Sequence, residues 1–225
     1  MQSLKFRGAR MRLASLLLAG VCLPVVFAQS GSEEPENHDF IVKRLVIYHD
    51  SGEYDREIRV VTDEARQYLE QRVRPGERLA AVFDIDETAL SNWATISDCG
   101  FCSYPTQLRI YPRPPIDPAI APVLKLYNDA KRLGVTVFFI TGRPDDQRRI
   151  TEVNLIAEGY CDWKCLFMQV TGHVEHVSEF KEHARQQIAH MGYHIVLNIG
   201  DQASDLVGCC AERSFKLPNP FYFIP

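Results

Sequence analysis

Four short stretches carry side chains able to do chemistry together: Asp84-Ile85-Asp86-Glu87-Thr88, Thr141-Gly142-Arg143, Lys181, and Gly200-Asp201 with Asp205 four residues beyond. In an extended segment residues two apart share a face, so Asp84 and Asp86 can address one ligand. One carboxylate can act as a nucleophile. The other can protonate a leaving oxygen and then deprotonate a water. Asp201 and Asp205 bring two more acids, and four carboxylates around one crevice repel unless cations offset them. Lys181 supplies one positive charge and a divalent cation would supply the rest. An all-oxygen set favours Mg²⁺ over zinc. Thr141, Lys181 and backbone N–H groups at helix starts can hold an anion. Carboxylates, a metal and anion donors in one place suit phosphoryl transfer. The competing reading, that these acids only cap strand ends and helix starts, requires four separate segments to converge by accident.

The elements that must position these residues follow from periodicity. Helical spacing predicts helices over about 39–49 and 54–73, the second ended by Arg74-Pro75-Gly76. Leu79–Phe83 is a continuous apolar run of buried-strand type. Residues 89–116 read as a loop-rich insert, and a helix is expected from an Asp117-Pro118 cap to just before Gly134. Strands at 135–140, 165–170, 194–199 and 213–217 then alternate with helices from about 145, from a Ser178 cap, and over 202–210. The helix after 178 carries Phe180, Ala184, Ile188 and Met191 on one face. This is the pattern of an α/β, Rossmann-like open parallel sheet with helices on both faces, a small loop or helical cap and N-terminal helices. Right-handed crossovers bring every strand's C-terminal end to one edge, so all four stretches meet there.

Composition bounds the class. The 225 residues are 46% hydrophobic and 24% charged, with net charge −4, which excludes a disordered chain and argues against binding a nucleic-acid polymer. Lys5, Arg7, Arg10 and Arg12 precede an apolar run, Leu13–Phe27, ending in Val26-Phe27-Ala28. That is the layout of a signal peptide over 1–28 cleaved after Ala28, and the run is too short to cross a bilayer stably. A retained anchor, or a lipid on Cys22, is the weaker alternative. A periplasmic or secreted chain is expected, with residues 29–37 as a disordered lead-in and 38–225 as the functional domain. Without the leader's four cations, 21 basic residues face 29 acidic ones, a net −8. Six cysteines then remain, Cys99, Cys102, Cys161, Cys165, Cys209 and Cys210, and disulfides with 15 alternative pairings are expected. A redox Cys99–Cys102 motif lacks the usual strand and helix around it. Zinc on Cys99, Cys102, Cys161 and Cys165 departs from paired CxxC knuckles.

At the strand-end residues the sequence resembles the haloacid-dehalogenase-like (HAD) superfamily. Within it the likeness is to the group of plant acid phosphatases, vegetative storage proteins and bacterial class B and C secreted acid phosphatases. Leu90-Ser91-Asn92, Thr141-Gly142-Arg143, Glu152-Val153-Asn154-Leu155 and the tail Ser214–Pro220 also read like that group, so the likeness runs from about residue 40 to the end. It implies a phosphomonoesterase with Asp84 as nucleophile and Asp86 as general acid/base. It further implies Mg²⁺ on Asp84, the Asp86 carbonyl and Asp201, with Asp205 supporting the metal shell, and a phosphoryl group on Thr141 and Lys181. Ala203 departs from the Trp usual in plant members. The second Asp favours phosphatase over dehalogenase, because an alkoxide leaving group needs a proton and a halide does not.

A short insert leaves no room for a large lid. Trp93, Phe101, Tyr104 and Tyr111 could stack on a nucleobase or aryl phosphate, but a small loop core is the stronger expectation. His173, His176, His183 and His190 are expected on a solvated face. The expected partner is a small phosphomonoester, nucleotides among the candidates. Transfer to an alcohol acceptor, or storage on the same fold, are the rival functions, and storage is disfavoured by the presence of Asp84. Oligomeric state is not encoded legibly.

Overall fold

The computed structural model describes residues 35–102, 117–172 and 176–224. Strands β1 (Leu79–Phe83), β2 (Thr136–Pro144), β3 (Cys165–Gln169), β4 (His194–Gly200) and β5 (Ser214–Lys216) form one parallel sheet. Their order is β3-β2-β1-β4-β5, so β1 and its two neighbours occupy the middle. Every residue of β1 is buried. Leu79, Ala81 and Phe83 join a large core with α2 (Glu53–Arg72) and α4 (Ala121–Arg132). Ala80 and Val82 face the other way, toward Ala184 and Ile188 of α6 (Val177–His190). Two covered faces explain why the strand reads as an unbroken apolar run.

The remaining helices are α1 (His38–Asp50), α3 (Trp93–Asp98), α5 (Arg148–Ala157) and α7 (Ala203–Leu206). The Asn37 side chain caps α1, accepting from the Asp39 N–H at 2.9 Å. Among the described residues no helix is long and apolar enough to cross a membrane. The expected leader, residues 29–34 of the lead-in, and Tyr104, Tyr111 and His173 lie outside the described residues.

Three helix boundaries differ from expectation for physical reasons. The helix expected at Asp117 begins at Ala121, because the preceding residues pair with residues 89–91. The Ser91 N–H donates to Pro118 O at 2.9 Å, and the Ile120 N–H to Ala89 O at 3.0 Å. That extended stretch cannot be helical as well. Ser178 lies inside the first turn of α6, and His176 holds the cap position without a side-chain bond. The last helix stops at Leu206, since Val207 is extended and Gly208 adopts φ 91°. On α6, Ala184 and Ile188 are buried as expected, but Met191 is 42% exposed, and Lys181 and Arg185 turn inward instead.

Candidate active site

The C-terminal edge of the sheet gathers the chemical residues into one crevice lined by Asp84, Asp86, Lys181, Asp201 and Asp205, with Tyr222 and Ile224 at its rim. Asp84 follows β1 directly, its N–H held by Ile199 O of β4 at 3.0 Å. Lys181 reaches up from α6 and donates to Asp84 Oδ1 at 2.5 Å and Asp205 Oδ1 at 2.6 Å. All three are buried. Asp205 also accepts from the Gln202 N–H at 2.7 Å through its other oxygen. Arg185, one turn after Lys181, caps the same segment by donating to the carbonyls of Asp205 (2.8 Å), Val207 and Cys209 (3.1 Å).

Asp86 is held differently. Arg143, 1% exposed, donates to Asp86 Oδ1 through Nη2 at 2.7 Å and through Nε at 3.0 Å, and Nε lies 3.1 Å from Oδ2. Asn92 Nδ2 donates to Oδ1 at 2.7 Å, and Thr141 Oγ1 stands 3.5 Å from Oδ2. Asp117 pairs with Arg143 at 3.5 Å and takes the Asn154 side chain on its backbone. Asn92 sits at the cap position of α3 but makes no side-chain cap bond, and its Oδ1 is buried with no partner among the described residues. Forgoing the cap costs about 1 kcal/mol, and an unpaired buried acceptor costs about 1–3 kcal/mol. Next to it Glu87 adopts a left-handed φ of 53°, accepting from the Asn92 N–H and from Tyr54 Oη at 3.1 Å.

Asp201, after β4, takes hydrogen bonds from Thr88 Oγ1 (3.2 Å), Gln202 Nε2 (2.7 Å) and Asn219 Nδ2 (2.6 Å). The C-terminal tail lies along this side. Tyr222 Oη is 3.5 Å from the Asp86 carbonyl, and the Ile224 N–H donates to Gln202 Oε1 at 3.1 Å. Gly200 permits the turn: a Cβ there would fall 2.5 Å from the Asp205 Cβ.

Oxygens of Asp84, Asp201 and Asp205 lie within 4.8 Å of one another, the one such group of three or more acidic, His or Cys residues among the described residues. Burial pushes the Asp84 carboxyl up, and Asp205, Asp201 and Asp86 add to this against the opposing pull of Lys181. Burial and Asp205 push Asp201 up to about 7. Burial pulls the Lys181 ammonium down, but Asp205 and Asp84 outweigh it and hold it charged. One ammonium among these carboxylates leaves negative charge uncompensated. The donor set therefore fits a hard divalent cation.

The other expected features resolve as follows. Cys99–Cys102 and Cys209–Cys210 are disulfides, and Cys161 and Cys165 are free. The four-cysteine zinc arrangement is thereby excluded, and Cys99 at the C-terminal end of α3 lacks the helix start that activates a thiolate. Trp93 and Phe101 meet at 5.8 Å and both pack on Phe221, a loop core. His176, His183 and His190 are exposed. A cavity of about 750 Å³ between α2, α3 and the start of α4 contains none of the crevice carboxylates. Asn92, Arg143, Arg185, Gln202, Asn219 and Tyr222 had no assigned role in the sequence. The Thr-Gly-Arg, Ser-Asn, Gly-Asp-Gln and Pro-Asn-Pro stretches offered a signal for some of them.

The sequence model of the HAD superfamily, subfamily IIIB (acid phosphatase), matches residues 27–225. Acid phosphatase 1 of Solanum lycopersicum is 37% identical over 183 residues, 76% of this chain and 69% of that one. Vegetative storage protein 1 of Arabidopsis thaliana is 31% identical over 180 residues, 78% and 67% of the two chains. The class C acid phosphatase from Bacillus anthracis shares the fold, with a TM-score of 0.67 at 21% identity over 83% of this chain and 86% of that one. A family match reaching from before α1 through the tail takes in every segment of the crevice, and the chain belongs to the HAD superfamily acid phosphatases of subfamily IIIB.

Proposed function

We propose that the crevice hydrolyses small phosphomonoesters, nucleotides among them, through a phosphoryl group carried on Asp84, with Mg²⁺ as the cation. The observation that carries this reading is the burial of Asp84, Asp201 and Asp205 around Lys181, with Asp86 fastened beside them. An Asp84 oxygen forms the new P–O bond as the ester P–O bond breaks. Asp86 gives its proton to the departing oxygen, releasing an alcohol. Water then attacks the same phosphorus, its proton passes to Asp86, and Asp84 is released with inorganic phosphate. Lys181 and Thr141 bind the phosphoryl oxygens, and Lys181 Nζ is already charged and in place. Asp84, the Asp86 carbonyl and Asp201 would hold the cation, with Asp205 behind them. When bound, the cation neutralises charge on the phosphoryl group and orients it.

Export to the periplasm or exterior belongs to the same proposal. It is supported by the tripartite N-terminus and by two disulfides, which persist in oxidising compartments. The name of the Arabidopsis relative raises storage as the second reading. Hydrolysis of p-nitrophenyl phosphate with Mg²⁺ and with EDTA decides between them. Turnover that falls at least about 100-fold in EDTA and returns with Mg²⁺ is expected. Absence of turnover with any divalent cation would leave storage.

A further inference from the structure

The two oxygens of the Asp86 carboxyl sit in unlike settings. Oδ1 receives Asn92 Nδ2 at 2.7 Å and Arg143 Nη2 at 2.7 Å. On the Oδ2 side stand Arg143 Nε at 3.1 Å and Thr141 Oγ1 at 3.5 Å. Arg143 favours Oδ1 through Nη2, while its Nε is nearly equidistant from both oxygens, 3.0 and 3.1 Å. Asn92 adds a second short contact on the Oδ1 side.

The local sequence would have used Asn92 otherwise. At a helix cap an Asn ordinarily turns its oxygen onto an N–H two or three residues ahead. Here the amide faces Asp86, the cap bond is not made, and Oδ1 is left buried without a partner among the described residues. Flipping the amide would set oxygen against carboxylate oxygen, so the orientation is imposed by Asp86. Both features cost stability and neither helps the fold.

We infer that Asn92 is a positioning residue that fixes the orientation of the Asp86 carboxyl in the crevice. The inference rests on Asp86 serving as the general acid/base, and the test separates the two. Single-turnover rates are compared for an aryl phosphate, whose leaving group needs little protonation, and an alkyl phosphate, whose leaving group needs a full proton. Asn92→Ser keeps a favoured cap residue but cannot reach Asp86 with a donor. Its unfolding midpoint should equal or exceed that of the parent, while the alkyl rate falls about 10- to 100-fold and the aryl rate much less. Asn92→Asp, of the same shape, replaces the donor by an acceptor and should fall at least as far. Asp86→Asn supplies the reference. If it lowers the alkyl-to-aryl ratio while both Asn92 variants keep the parent ratio, the inference about Asn92 is overturned. If Asp86→Asn itself leaves that ratio unchanged, the acid/base reading of Asp86 falls instead.

Discussion

The two ends of the central sheet carry charge in opposite ways. At the strand starts, Glu212 accepts from Arg72 at 2.8 Å, from Tyr68, and meets His194 at 2.7 Å, and Arg72 also binds Glu77 at 2.9 Å. These groups are partly exposed, and Arg72 and its neighbours hold Glu212 down to about 2. Each carboxylate there has the Arg72 guanidinium as a partner, and the network stabilises. At the strand ends the acids are buried and outnumber their cations. Burial pushes Glu87 up to about 8 and Asp201 up to about 7. A cluster that opposes folding in the absence of a ligand is what a site prepared for a cation looks like.

Substitutions at the strand-end cluster should have the larger effects. Among substitutions that leave every crevice carboxylate in place, Gly200→Ala is the most severe, because its Cβ would sit 2.5 Å from the Asp205 Cβ and closer still to Oδ2. Asp205 must move away from Lys181. Turnover of p-nitrophenyl phosphate should fall about 100-fold or more, and stability by about 1–3 kcal/mol. An active Gly200→Ala enzyme would show that the position of Asp205 is not critical.

Glu87→Gln comes next, measured by urea unfolding of the metal-free protein from pH 4.5 to 8. The Glu87 pKa is raised on folding, so in that window the folded state binds more protons than the unfolded one. Stability should fall as pH rises from 4.5 to about 8. Gln removes that slope, so the variant should gain on the parent with pH, by a few kcal/mol at the upper end. A constant difference between the two proteins would break the contrast. Glu212→Gln should do least and with the opposite sign. A lowered carboxylate stabilises above its unfolded pKa of 4.5, and this is lost as pH falls through about 2. The expected loss at pH 7 is about 0.5–1 kcal/mol, with turnover unchanged.

The sequence made some of this legible because the information was local. Asp84 and Asp86 follow an unbroken apolar strand, and the handedness of parallel crossovers places Asp201, Asp205 and Lys181 at the same edge. What sequence reasoning missed depends on partners distant in the chain. Asp117-Pro118 has the composition of a helix cap, yet pairing with residues 89–91 keeps it extended and turns Asp117 toward Arg143. Arg185 looks like an ordinary helix-surface cation, but it is 1% exposed and satisfied by three carbonyls. Asn92 reads as a cap and points away from its helix. Adjacent Cys209 and Cys210 bond to each other, which a count of six cysteines cannot select among 15 pairings.

The central claim is that phosphoryl transfer runs through Asp84. Acid quenching during turnover of a radiolabelled phosphomonoester, followed by peptide mapping, tests it directly. We predict acid-stable label on the peptide that contains Asp84, absent in Asp84→Asn, whose turnover is at least about 1,000-fold lower. Label on a different residue, or undiminished turnover in Asp84→Asn, would contradict the account.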